Sequence, residues 1–318
     1  MNSRSIPKAA AAGLAAAFVA LGAQAQTAPG VTAARVLFGQ SAPLSGANAE
    51  LGSDIRNGAL AYFKKVNDAG GVHGRKLELT TLDDANQVPR AEANTKKLVE
   101  EDRVFALFGY ASATLSRPAL PIVAQHNVPF LAPFTGADPM RVFNKNVYNM
   151  RASYADELEK IVEHYLTLGS RRFAIVHYDD VVGRENLTAV ERALKKHSMT
   201  PVSVAAFKDR AKPDIDGGVK SVAGGAPDVV ILTTLYKATS DFVKASRKVG
   251  FGAQMVSNSF PGASPLAKEL GEHGAGVAVS QVVPPPTQRS VPVVREYQDA
   301  IGKLLGKKEF SFTSLEAY

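Results

Sequence analysis

Between residues 104 and 139 the chain reads as an apolar strand, a loop of small hydroxyl-bearing residues, a helix, a second strand and a second small polar loop. No other stretch constrains the fold as much. Residues 104–109 are short and apolar enough for a strand buried on both faces, the habit of parallel sheets. Ser112 or Thr114 can cap the helix that follows, which leaves backbone N–H groups free to face an anion. Residues 119–125 supply the helical body, His126-Asn127 ends it, and residues 128–132 predict the next strand, followed by the loop Pro133-Phe134-Thr135-Gly136. Two polar loops at the carboxyl ends of neighbouring parallel strands form a crevice in which open α/β sheets hold small ligands. Hydroxyls and uncharged amides there suit a carboxylate.

The same rhythm extends in both directions. A strand at 36–39 leads through a small-residue loop into a helix near 52–68, with Ile55, Ala59, Tyr62, Phe63 and Val66 on one stripe. A strand at 76–82 ends in Asp83-Asp84 and precedes a helix at 90–101. After a short strand near 146–151 the alternation begins afresh, with strands at 173–177, 202–207, 228–232, 254–257 and 276–283 between helical segments. Two successive series predict an α/β protein of two Rossmann-like parallel-sheet lobes joined by crossover hinge segments. Lobe 1 comprises 33–150 and 284–318, and lobe 2 comprises 151–283, with crossings near 147–153 and 279–286. A helix starts in the last eight residues, so a truncated sequence is expected.

The first 25 residues read as a cleaved signal peptide. Arg4 and Lys8 precede an apolar, Ala-rich run at 9–22, and Ala23-Gln24-Ala25 fits the small-x-small cleavage pattern. The run falls short of the roughly 20 apolar residues of a comfortable permanent span. Gln26 would be the first mature residue, and the periplasm the destination. The chain has no Cys, which excludes both disulfides and a lipid anchor on an N-terminal cysteine. A chain of this size builds its core without such staples.

The formal charge of +7 is spread among acids without a basic block, which argues against a nucleic-acid partner. The six His show no HxxxH or HxxE pairing, so no metal is expected. The glycines at 271–276 precede a strand and do not follow one, so they are no dinucleotide fingerprint, and no cofactor is expected. There is no GxSxG elbow and no Cys nucleophile.

Three stretches, LFGQSAPLSGANAELG, NGALAYFKKVNDAGGVHGRKLELTTLDD and the 104–139 segment, resemble the leucine/isoleucine/valine-binding protein family. The likeness continues through RFAIVHYDDVVGRENL, APDVVILTTLYKATSDFVKASRKVG and HGAGVAVSQVVP, and the AGGVHGRKLEL turn is its strongest marker. The resemblance implies a type I periplasmic-binding fold and an extracytoplasmic substrate-binding component of an ABC importer, two lobes closing on one ligand. It also implies a third crossover, which would lie beyond Tyr318.

The resemblance assigns residues as well. The loop Ala111-Ser112-Ala113-Thr114 would hold the ligand carboxylate. Ser112 and Thr114 keep hydroxyls, while Ala113 stands where a serine or threonine is usual and contributes its N–H. Phe134, Thr135 and Gly136 match a loop that offers a carbonyl and a threonine hydroxyl. Leu51 falls where a tyrosine often borders the pocket, and Val182 and Tyr236 would close from lobe 2. The loop that usually presents an acid to the ligand ammonium reads Ser257-Asn258-Ser259-Phe260, with Ser259 as its ligand contact. An ammonium buried without an anion costs at least a few kcal/mol. Either Asp179 or Asp180 supplies that charge, or the ligand is a carboxylate other than an α-amino acid. The expected partners are this ligand and a membrane permease, and the protein is expected to be a monomer. A sensor of the same fold, or an exported α/β enzyme, are the alternatives.

Overall fold

The computed structural model describes residues 28–46, 48–306 and 308–318; the expected signal segment, 1–25, lies outside them. The first sheet is built from β1 (Arg35–Ala42), β2 (Lys76–Asp83), β3 (Ala106–Phe108), β4 (Phe130–Leu131) and β5 (Val147–Tyr148). All its pairings are parallel, in the order β2-β1-β3-β4-β5. Its helices are α1 (Ala49–Asp68), α2 (Val88–Lys96), α3 (Ala113–Ser116) and α4 (Ala119–His126). Leu51, Ile55 and Ala59 of α1 are buried, and Phe63 packs on Phe38 of β1 with ring centroids 5.1 Å apart. Tyr62, from the same expected stripe, is exposed and instead meets Tyr318 edge-on.

The second sheet contains β6 (Phe173–Tyr178), β7 (Ser203–Phe207), β8 (Val229–Leu232), β9 (Gln254–Ser257) and β10 (Ala278–Val279). It is again all parallel, in the order β10-β9-β8-β6-β7. Around it lie α5 (Tyr154–Thr167), α6 (Val181–Lys195), α7 (Ile215–Gly224), α8 (Tyr236–Lys248) and α9 (Ala263–Leu270). Every residue of β6 and β8 is buried, as helices on both faces of a parallel sheet require. Fully burying each such aliphatic side chain contributes about 1.5–3 kcal/mol. α10 (Pro292–Leu305) and α11 (Phe312–Ala317) return to α1, where Tyr297, Ile301 and Leu315 cluster with Ala61.

Counted in chain order within its own half, each sheet has its strands arranged 2-1-3-4-5. The strand order therefore reverses between β1 and β3 in one half and between β6 and β8 in the other. Loops leaving the carboxyl ends of strands diverge at such a point and open a crevice. The two halves meet with these ends facing each other: Phe260, which follows β9, sits in the first sheet's apolar cluster with Tyr154, 5.6 Å between ring centroids. Val182 and Leu235 pack on the same cluster, and Lys268 of α9 pairs with Glu50 of α1 at 2.5 Å. Among the described residues no helix is long and apolar enough to cross a membrane.

Candidate functional site

The two loops singled out in the sequence lie side by side because they are zipped together by backbone. Phe134 N–H donates to the Tyr110 carbonyl at 2.8 Å, and Ser112 N–H donates to the Phe134 carbonyl at 3.2 Å. A bridge between Ala111 and Phe134 prolongs the β3–β4 pairing into the loops. Ser112 takes φ 71, ψ 156, a backbone region that glycine enters freely and other residues enter at a cost. Its hydroxyl makes no capping bond to α3, so the expected N-cap by Ser112 does not form. The helix itself is a single turn. Pro118 has no N–H to carry it onward, and α4 begins only at Ala119.

A cavity of about 130 Å³ lies between the halves. From the first half, Leu51, Ser112, Thr114, Phe134 and the amide side chains of Asn48 and Asn86 line it. From the second come Arg210, Leu235 and Phe260, with Tyr154 at the junction. The rim is held by Asp83, which accepts from Leu44 N–H (2.9 Å), the Ser45 hydroxyl (2.6 Å) and Ala85 N–H (2.8 Å). Those bonds, the Ser45 hydroxyl's first, hold its carboxyl down at about 2.

Of the ten residues expected at the ligand, the structure brings Leu51, Ser112, Thr114 and Phe134 to the cavity wall. Ala113 is buried behind them. Thr135 is buried and accepts from Ala137 N–H at 3.2 Å, and the Gly136 carbonyl accepts from Tyr154 N–H at 2.8 Å. Tyr236 begins α8 and packs into the second sheet's cluster, while Val182 packs against the first sheet's cluster. Ser259 lies in a buried polar knot at the crossings. It accepts from Arg151 Nη2 at 2.5 Å and donates its N–H and hydroxyl to Glu157 at 2.8 and 2.7 Å. Glu157 also accepts from the Ser280 hydroxyl at 2.6 Å, so one carboxylate ties α5, the β9 loop and the second crossing together. Arg151 stacks on Phe134 and Tyr154, 4.7 and 5.7 Å from their ring centroids, and pairs with Glu316 at 3.3 Å. Burial outweighs that pairing and pushes the Glu316 carboxyl up to about 7.

Neither candidate for the missing acid is free. Asp179 is engaged by Arg184 at 2.7 Å. Asp180 caps α6 by accepting from Gly183 N–H at 2.9 Å, and its other oxygen receives Arg210 Nε and Nη2 at 2.8 and 2.5 Å. Gly183 N–H and Arg210 hold its carboxyl below the usual range in spite of burial. Sequence reasoning missed Arg210. It stands in a charged loop after β7, and no spacing in that loop signals that Tyr178 and Asp180, some thirty residues upstream, aim it into the cavity. Tyr154, the first residue of α5, was likewise not among the expected ligand contacts. Burial pushes its phenol up, against the Arg151 charge and the nearby Thr135 hydroxyl, and no well-aligned hydrogen bond closes on it. Among the described residues no group of His, Cys, Asp and Glu is gathered to hold a metal ion.

Two parallel sheets with facing switch points around a cavity lined from both halves are an arrangement for enclosing a solute. The sequence profile of the family described as periplasmic binding protein matches residues 35–318. The chain belongs to that family. Among curated relatives of this periplasmic binding protein is an amino acid binding protein of Pseudomonas aeruginosa, 25% identical over 229 residues, or 71% of this chain and 60% of that one. A Leu/Ile/Val-binding protein homolog 1 of Brucella abortus is 24% identical over 251 residues, 77% of this chain and 66% of that one. The chain thus spans 60–66% of the length of these relatives. The crystal structure of a possible leucine/isoleucine/valine-binding protein from Rhodopirellula baltica superposes with a TM-score of 0.83 at 30% identity, covering 90% of this chain and 79% of that one. These relatives are named as binding proteins, not enzymes.

Proposed function

We propose that this periplasmic binding protein captures a small carboxylate-bearing solute, an amino acid or a related organic acid, between its two halves and delivers it to the permease of an ABC importer. The observation that carries the reading is the cavity wall, to which both halves contribute, which includes the hydroxyl and amide residues Ser112, Thr114, Asn48 and Asn86, and whose charged member among the described lining residues is a cation. Neutral dipoles hold an anion with little desolvation cost, so release stays easy. The family supports an extracytoplasmic location, and the 1–25 segment would be the export signal. We place the lobes at 33–150 with 284–318 and at 151–283, a division supported by the packing of α10 and α11 back on α1.

The test is a thermal-shift and calorimetric screen of the protein against branched-chain and aromatic amino acids, amides, and keto, aromatic and dicarboxylic acids. A ligand at 100 times its dissociation constant stabilises the folded state by about 2.7 kcal/mol. Stoichiometric binding of at least one carboxylate, recovered chemically unchanged, is the expected result. Silence from every carboxylate, or turnover of a bound one, overturns the reading. Delivery is tested separately by stimulation of ATP hydrolysis in a reconstituted permease by the loaded protein.

A further inference from the structure

Arg210 is built into its position from two sides. Its guanidinium lies over the Tyr178 ring, 4.5 Å from the centroid, and two of its nitrogens are engaged by Asp180. The Tyr178 hydroxyl in turn accepts from the N–H of Leu235, a neighbouring wall residue, at 3.4 Å. A guanidinium fixed in this way presents its remaining N–H edge with little rotamer entropy left to lose, the state in which arginine binds a carboxylate well. Across the cavity stand Ser112 and Thr114. A carboxylate here would meet a fixed cation from one half and hydroxyls from the other.

Among the described residues no carboxylate lines the cavity, and Asp83 at its rim is engaged by Leu44 N–H, the Ser45 hydroxyl and Ala85 N–H. Asp180 accepts from Gly183 N–H and Arg210, Asp179 is paired with Arg184, and neither is a wall residue. Glu157 spends both oxygens on Ser259 and Ser280, and Glu316 lies against Arg151. Glu185, whose nearby charges are Asp138 and Arg117, is not a wall residue. An ammonium would instead share about 130 Å³ with the Arg210 charge. That volume is close to the roughly 150 Å³ of an apolar cavity that accommodates benzene, and beside the polar Asn48 and Asn86 the wall is largely apolar, with Leu51, Leu115, Phe134, Leu235 and Phe260.

We propose that Arg210 sets the ligand class of this protein, selecting a compact apolar carboxylate that lacks an amino group, the size of one six-membered ring or a short branched chain. The inference rests on the solute-binding reading above and narrows it.

The experiment compares matched acids on the intact protein by calorimetry: leucine against 4-methylpentanoate and 4-methyl-2-oxopentanoate, phenylalanine against 3-phenylpropanoate, and benzoate against benzamide. Amine-free acids should bind at least ten-fold tighter than their amino counterparts, and benzoate at least ten-fold tighter than benzamide. Arg210→Gln should weaken the best acid ten-fold or more while moving the ligand-free melting temperature little. If Arg210→Gln does not fold, Arg210→Lys, which keeps the charge and loses the planar fork, should still bind the acid more weakly than the native protein. Amino acids binding as tightly as their amine-free partners would overturn the inference and leave the solute-binding reading standing. Undiminished affinity in whichever variant folds would remove Arg210 from its role. Only silence from every acid, amino acids included, would take the broader reading down with it.

Discussion

At Ser112 the backbone occupies φ 71, ψ 156, where a residue with a Cβ pays about 1–3 kcal/mol relative to a relaxed conformation. Ser112→Gly should therefore raise the melting temperature by a few degrees and, by removing a wall hydroxyl, weaken the best-bound carboxylate several-fold. Ser112→Ala should weaken it equally without the thermal gain. A lower melting temperature for the glycine variant would show that the conformation is not strained. Glu316 gives a pH signature. Its folded-state value of about 7 lies above the ordinary 4.5, so the folded protein binds the proton more tightly than the unfolded chain. That stability is fully present below about pH 4.5 and is lost as pH rises through 7. The groups around it are Arg151, which opposes the shift, and Glu157, which adds to it. Melting temperatures measured from pH 5 to 8 should fall more steeply for the native protein than for Glu316→Gln; parallel curves would contradict the assignment.

At the scale of elements, α1 and α11 approach so closely at Gly58 that an added Cβ would collide with the Ser314 carbonyl. Gly58→Ala should destabilise by about 1–3 kcal/mol, the usual cost of overpacking, and denaturant unfolding would measure it; an unchanged midpoint would mean that α11 is free to shift. Most elements could be read in advance because each strand is a short apolar run and each helix carries one apolar stripe. The second sheet's last strand is expected over eight residues and forms over two, Ala278–Val279, paired with Val256 and Ser257. The helix expected after β3 was legible in its body but not in its break at Pro118. Ser112, Thr114 and Phe134 could be found because they stand in the small loops after β3 and β4, and Leu51 only through the family resemblance. Arg210 and Tyr154 could not, because their place at the wall depends on how two separately folded halves face each other, and no local pattern encodes that.

At the scale of the molecule, the halves are held together by more than a ligand. Lys268 and Glu50 pair across the gap at 2.5 Å on an exposed flank, and an exposed pair contributes at most about 1 kcal/mol. Reversing one charge, Lys268→Glu, turns that attraction into repulsion and should enlarge the radius of gyration of the ligand-free protein in small-angle scattering. Addition of a saturating carboxylate should contract it again, by hinge motion of the two halves. Identical scattering curves in all conditions would rule out closure as the binding event. An apolar seam adds to that hold, with Val182, Leu235 and Phe260 of the second half packed on the first half's apolar cluster. Its burial favours the shut form whether or not anything is inside. Under the delivery role proposed above, a carrier whose jaws close on their own grip would make some journeys with no freight, and an empty carrier would occupy the same berth at the transporter as a loaded one. The depth of that seam would thus set the proportion of empties, and with it how sharply uptake could respond when the solute is scarce.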